Sequence, residues 1–263
     1  MKLLLIDGLN IVRRVYEANP APESPEKIEG VVRSAMGSFK RALKEHQPTH
    51  VLAPFDHGGN TWRHDLYPAY RQNRKPMPEI LREALPGLKA KLHQDLGIPT
   101  VTVPGVEADD VIAAVFACWA KHYPEKSATV LSTDKDLTAL VELGAIVYDH
   151  FNGETRDAAW IAKKMGVKPA QVQDFLALMG DSVDGVPGVP GVGPKTAQDW
   201  LAAYPTLTDL LHADLPGKKF ATLKEQADLA VLSRQLIAFK TDFTLGLTFK
   251  DLRLAKPEPE YCF

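Results

Sequence analysis

Short apolar runs alternate with longer stretches of helical spacing through the first half of the chain. Leu3–Ile6 is an unbroken apolar run that stops at Asp7-Gly8, the pattern of a buried strand. From about residue 26 to 45, Ile28, Val31, Val32, Ala35, Phe39 and Leu43 recur at helical spacing and predict a long helix. "THVLAPFD" predicts a second strand ending at Asp56. A helix over about 79–96 closes at Gly97, a residue suited to a left-handed cap. "IPTVTV" predicts a third strand. "GVEADDVIAAVFACWAKHY" then opens on acids and continues apolar, the order the helix dipole favours. "ATVLS" is a fourth strand, followed by Thr133-Asp134-Lys135-Asp136 and a short helix, and "GAIVYD" is a fifth.

Strands alternating with helices predict an α/β domain with a mostly parallel central sheet flanked by helices. After about Phe151 the strand-like runs stop, and short helices gather around a Gly/Pro hairpin, ending in one helix over about 222–239. The expected organisation is a core over 1–151, a helical subdomain over 152–250 with a helix–hairpin–helix at about 174–203, and a tail over 251–263. Residues 57–78 have no clear period and are rich in arginine, aromatics and proline. A loop of that length is usually functional, and an arch over about 57–95 is expected.

Composition narrows the class. At 45% hydrophobic and 24% charged, the 263 residues have the profile of a soluble globular protein with ample core. The net charge of −2 does not by itself announce a nucleic-acid partner, although acids and bases can be segregated in space. The two cysteines, Cys118 and Cys262, form no disulfide framework and suit a reducing compartment. The apolar run near the N-terminus is too short for a signal peptide or a membrane span, so a cytoplasmic location and no membrane contact are expected.

The acids carry the chemistry. Ligands of open parallel sheets bind beyond the carboxyl ends of the strands, and Asp7, Asp56 and Asp134 each follow an apolar strand. Glu107, Asp109 and Asp110 start the helix after the third strand; Asp136 follows Asp134, and Asp181 and Asp184 precede the hairpin. Singly, an Asp after a strand is usually a turn or N-cap residue. Gathered together, these acids would repel one another unless cations intervened. With no Cys nearby and no His at zinc spacing, the oxygen donors suit Mg2+, or Mn2+, rather than zinc. Two such ions form the clamp used to hydrolyse phosphate esters, with some acids acting through bound water.

The hairpin "VPGVPGVGPKTA" supplies glycines for tight turns and Pro194 for a helix start. The free N–H groups near Gly191, Gly193, Lys195 and Thr196 would form an anion site for a backbone phosphate; a plain helix–hairpin–helix packing element is the alternative. Arg63, His64, Tyr70, Arg71, Arg74 and Lys75 lie in the arch, where arginines suit phosphate oxygens and aromatics suit unpaired bases; a solvated loop is the alternative. Cations that draw in a backbone beside acids that hold metals describe a metal-dependent nuclease. A ribonuclease of the PIN type and a branched-DNA-binding protein with weak catalysis are the competing classes.

"LIDGLNIVRR", "FDHGGNTWRHDLYPAYRQNRKPMP", "GVEADDVIA", "STDKDL" and "GDSVDGVPGVPGVGPKTA" occur in the order seen in the bacterial 5′-nuclease, or flap endonuclease, family. The chain resembles the 5′–3′ exonuclease domain of DNA polymerase I and free-standing exonuclease IX-like proteins over about 3–247. The resemblance implies a PIN-like core with a helical arch and a helix–hairpin–helix subdomain. It implies cleavage of 5′ flaps and 5′ ends on branched or nicked DNA, with two divalent ions, by a monomer. It implies that the nine acids named above are metal-site residues, that Arg71, Arg74 and Tyr70 serve catalysis, and that Arg14, Arg63 and Lys75 meet DNA. It further implies a K+ ion held by hairpin carbonyls among Val186, Val189 and Val192. Arg71 stands where the family usually has lysine, and Gly185 where asparagine is common; the Arg13-Arg14 pair is like that of exonuclease IX-like proteins.

Overall fold

In the computed structural model, which describes residues 1–254, Leu3–Ile6 forms β1 with every residue buried. Side chains alternate across a strand. Leu4 and Ile6 accordingly join one core, while Leu3 and Leu5 join the core on the opposite face. β1 leads through Asp7 into α1 (Gly8–Ala18), then α2 (Pro25–His46), β2 (His50–Pro54), α3 (Trp62–Leu66) and α4 (Glu79–Leu96). β3 (Thr100–Val101), α5 (Ala108–His122), β4 (Ala128–Leu131), a 3-10 helix (Asp136–Leu143), β5 (Ile146–Asp149) and β6 (Glu154–Thr155) complete the sheet region.

The six strands lie in the order β3-β2-β1-β4-β5-β6. All pair in parallel except β6, which runs antiparallel to β5. α1, α2 and α4 cover one face and α5 with the 3-10 helix the other. The chain winds outward in both directions from the β1–β4 neighbours, so the crevice beyond their carboxyl ends is the switch point where such sheets bind ligands.

A third core lies in the helical part: α6 (Ala158–Met165), α7 (Val172–Met179), α8 (Pro194–Ala203), α9 (Leu207–His212), α10 (Lys218–Glu225) and α11 (Ala227–Ile237). The helix expected over 222–239 is two helices that meet at Gln226. "IPTVTV" pairs only at Thr100–Val101, and the short β6 extends strand structure past residue 151. Within the expected arch, residues 57–78 hold one short helix, α3, because Gly58, Gly59, Pro68, Pro76 and Pro78 interrupt the rest. α4 is packed on α2 beneath the same core. Residues 251–254 return to the sheet edge, where Leu252 is buried and its carbonyl accepts from Val51. Cys262 and the rest of 255–263 lie outside the described residues. No helix among the described residues is long and apolar enough to cross a membrane.

Candidate active site

Asp7 ends β1 and caps α1, its Oδ1 accepting the Asn10 N–H at 3.0 Å. The next residue must be small: a Cβ on Gly8 would lie 2.4 Å from the Phe55 ring. That close approach brings the ends of β1 and β2 together, and with them Asp7 and Asp56. Asp56 Oδ1 accepts the Ala108 N–H at 2.8 Å, which fixes the start of α5 and hence Asp109 beside it. Across the switch point, Ser132 donates its hydroxyl to Asp7 Oδ2 at 2.9 Å and accepts the Asp134 N–H at 3.0 Å. Asn10 pairs with Thr133, and Arg156 donates to the Thr133 carbonyl at 2.6 Å while holding Asp149 at 2.8 Å. Ser132, Asn10 and Arg156 were not singled out from sequence; only the first two lie in the acid-bearing motifs.

Asp7, Asp56, Asp109 and Asp134 thus line one cleft of about 560 Å³. Arg13, Arg14, Arg71, Arg74 and Lys75 border it. None of the four acids forms an ion pair among the described residues. The electrostatic result is strong. Burial, then the charges of Asp56 and Asp134, pushes Asp7 up to about 7. Burial and the charges of Asp134, Asp7, Asp56 and Glu107 push Asp109 well above the usual carboxylate range. Burial likewise raises Asp134, and burial with the Asp134 charge raises Asp136.

Four of the remaining acids, Glu107, Asp110, Asp181 and Asp184, are neutralised from within, whereas Asp136 forms no ion pair among the described residues and leaves its Oδ1 without a partner. Asp110 is fully buried. Arg63 grips it with both terminal nitrogens at 2.9 and 3.0 Å, and the Trp62 indole and the Lys240 N–H donate to it as well. Glu107 faces Arg71 at 3.0 Å and Arg63 at 3.3 Å, and accepts from Thr61 at 2.9 Å and Tyr70 at 3.3 Å. Arg71 and Arg74 hold Asp184 at 3.1 and 3.5 Å, and Lys135 holds Asp181 at 2.7 Å. Burial works against charge on Asp181, yet Lys135 and two backbone N–H groups keep it below the usual carboxylate range. Burial also disfavours charge on Arg63 and Arg71, but the neighbouring acids outweigh it and both are held firmly protonated.

Three expectations change here. Asp110 has no oxygen left for a metal, because its partners enclose it. Arg63, only 4% exposed, spends its donors on Asp110 and on the Leu236 and Ala238 carbonyls, so it does not face DNA. Tyr70, also 4% exposed, is a positioning residue for Glu107 and cannot stack on a base. Among the described residues, no three His, Cys, Asp or Glu side chains are placed so that they could hold a metal ion as they stand; the acids surround open space instead.

The hairpin docks on the basic segment. Arg71, at a φ of 54°, donates its N–H to the Asp184 carbonyl at 2.9 Å. A Cβ on Gly188 would lie 2.5 Å from the Gly180 nitrogen, so the two limbs of the hairpin cross with no room for a side chain. Val186, Val189 and Val192 bury their side chains in the helical core, and the Val186 and Val189 carbonyls each accept one backbone N–H. α8 begins at Gly193 without a side-chain cap, and Gly191 is exposed beside it. Lys195 is exposed and paired with Asp199, while Thr196 accepts from Lys219.

Comparison with known proteins places the chain. Residues 2–167 match the family model described as 5′-3′ exonuclease, N-terminal resolvase-like domain, and residues 167–260 match 5′-3′ exonuclease, C-terminal SAM fold. A flap endonuclease Xni of Aliivibrio fischeri strain MJ11 is 35% identical over 98% of both chains. Its counterpart in Shewanella oneidensis is 39% identical, covering 97% of this chain and 96% of the relative. Among solved structures, a T5 5′-exonuclease with bound zinc shares the fold at a TM-score of 0.78 and 22% identity, covering 90% of this chain and 89% of that one. A T5 flap endonuclease in a pseudo-enzyme–product complex with DNA and metal ions follows at 0.75 and 23%, with the same coverage. With both family models matched in register and these relatives aligned nearly end to end, the chain belongs to the bacterial 5′–3′ exonuclease, or flap endonuclease, family.

Proposed function

We propose that the protein is a structure-specific 5′-nuclease that hydrolyses DNA phosphodiesters near the 5′ ends of flapped, nicked or branched duplexes. The observation that carries this is the cleft in which Asp7, Asp56, Asp109 and Asp134 meet without an internal counter-charge, bordered by arginine and lysine. Carboxylates gathered without an ion pair call for a cation, and an all-oxygen donor set around open space fits partly hydrated Mg2+, with Mn2+ as a substitute. Bound there, divalent ions supply an activated water and neutralise the leaving oxygen.

The chain's own groups do the rest. Arg13, Arg14, Arg74 and Lys75 draw the scissile strand over the cleft, and Ser132 and Asn10 keep Asp7 and Asp134 aimed into it. The start of α8, with Gly191, Gly193, Lys195 and Thr196, grips duplex phosphates without reading sequence. K+ would sit against the hairpin carbonyls of Val186, Val189 and Val192 and stiffen that grip. Residues 1–151 supply the cleft, and residues 152–250 supply Asp181, Asp184 and the duplex contact. We place the protein as a cytoplasmic monomer in DNA replication or repair.

The test is cleavage of a 5′-flap DNA oligonucleotide beside a single-stranded RNA, each with Mg2+. Incision near the flap junction is expected. Cutting of RNA alone would replace this assignment with a ribonuclease, and binding of the flap without cleavage would reduce it to a branched-DNA-binding protein.

A further inference from the structure

Behind Arg71 lies a second, smaller space of about 10 Å³, bordered by Glu107, Asp109, Asp136, Asp181 and Asp184. That is room for one water or one ion. Asp136 Oδ1 is buried here without a partner. Every other oxygen of the hairpin acids is taken. Asp181 Oδ1 accepts the Val183 and Asp184 N–H groups, and its Oδ2 holds Lys135 Nζ at 2.7 Å. Asp184 gives Oδ2 to Arg71 and Oδ1 to Arg74. A cation that is to bind Asp181 or Asp184 as well as Asp136 must therefore displace a resident one. On Asp181 that resident is Lys135, the most exposed of the three cations at 43%, against 33% for Arg74 and 17% for Arg71, both of which hold Asp184.

We infer that Lys135 is a built-in competitor for the second divalent ion: its ammonium fills that ion's electrostatic place on Asp181 and withdraws when the ion arrives. Resting on the nuclease assignment above, this makes Lys135 a positioning residue that sets how tightly the second ion is held. Lys135 is anchored between Asp134 and Asp136, so it joins the cleft acids to the hairpin acids by a contact spanning 46 residues. While it is in place, the first set of acids binds its ion unopposed and the second set does not.

The test is Mn2+ binding to the full chain without DNA, followed by calorimetry, with thermal melting to confirm the fold. The parent should show a tight and a weak site. Lys135→Met should tighten the weak site about fivefold, the effect of removing one half-exposed ion pair, and leave the tight one unchanged. Lys135→Arg should keep the parent isotherm, and adding Asp181→Asn to Lys135→Met should cancel the gain. If Lys135→Met melts early, Lys135→Gln repeats the measurement with a polar stem. An unchanged weak site in these variants, or a gain that survives Asp181→Asn, overturns the inference. Asp134→Ala separates the two claims: it should abolish the tight site, and a tight site that persists there overturns the nuclease assignment instead.

Discussion

Asp109 and Asp110 are neighbours in the chain and opposites in their surroundings. Asp110 is enclosed by Arg63, Trp62 and the Lys240 N–H, and its charge is fully answered. Asp109 looks into the cleft toward Asp7, Asp56 and Asp134, and its charge is answered by nothing in the protein. The helix turn between them separates a structural anion from a candidate metal ligand. The same division runs through the site: Asp7, Asp56 and Asp134 form no ion pair among the described residues, while Glu107, Asp181 and Asp184 are bound to arginine or lysine. A count of acids therefore does not by itself separate those left without an internal cation from those already paired with one.

The largest consequence should appear at the bare set. Asp134→Ala is expected to lower flap cleavage about a thousandfold while leaving flap binding in EDTA intact; an unchanged cleavage rate would remove the site. Next comes the enclosed set. Asp110→Asn breaks a buried pair and should cost about 3–5 kcal/mol of stability by denaturant titration. A loss within error would mean that Arg63 does not depend on that charge.

Asp7 sharpens the division through pH. In the fold it keeps its proton up to about pH 7, whereas the unfolded chain releases it near 3.8. The fold binds more protons between those values, so its stability relative to Asp7→Asn must fall as pH rises from about 4 to about 7. Urea titrations of both proteins in EDTA should show that difference, and Mn2+ should flatten it; asparagine still caps α1, so the cap is not lost. Asp109→Asn makes a smaller point of opposite sign to its neighbour, since removing one repelling charge should raise the melting temperature of the EDTA-treated protein by about 3 °C. The smallest effect belongs outside both sets: Lys195→Ala should weaken duplex binding and reduce its salt slope by about one, with Mn2+ binding unaltered.

The strand-end acids were legible because an apolar run that stops at Asp announces both the strand and the edge where the acid sits. β1, β2, α4 and the start of α5 follow from that logic within a residue or two. The pairing of charges was not legible. Arg63 and Asp110 lie 47 positions apart, and nothing local distinguishes an arginine that turns inward from one that meets phosphate. Tyr70 is hidden from sequence for the same reason. Lys135 gave a faint signal, as the cation set between Asp134 and Asp136. β6 is two residues long, too short for any alternation to register, and the apolar spacing runs unbroken through Gln226, where α10 and α11 part.

Arg63 also reaches the last carbonyls of α11, while Asp110 receives the backbone of Lys240, so the start of α5 and the end of α11 are stapled to each other. The seam between the two matched family models falls near residue 167, and this staple crosses it. Cut there, the N-terminal piece would keep the Arg63–Asp110 pair but strip it of its cover, and would leave Arg71 without Asp184. The contacts that hold Arg63, Asp110 and Arg71 in place are thus shared by the two halves.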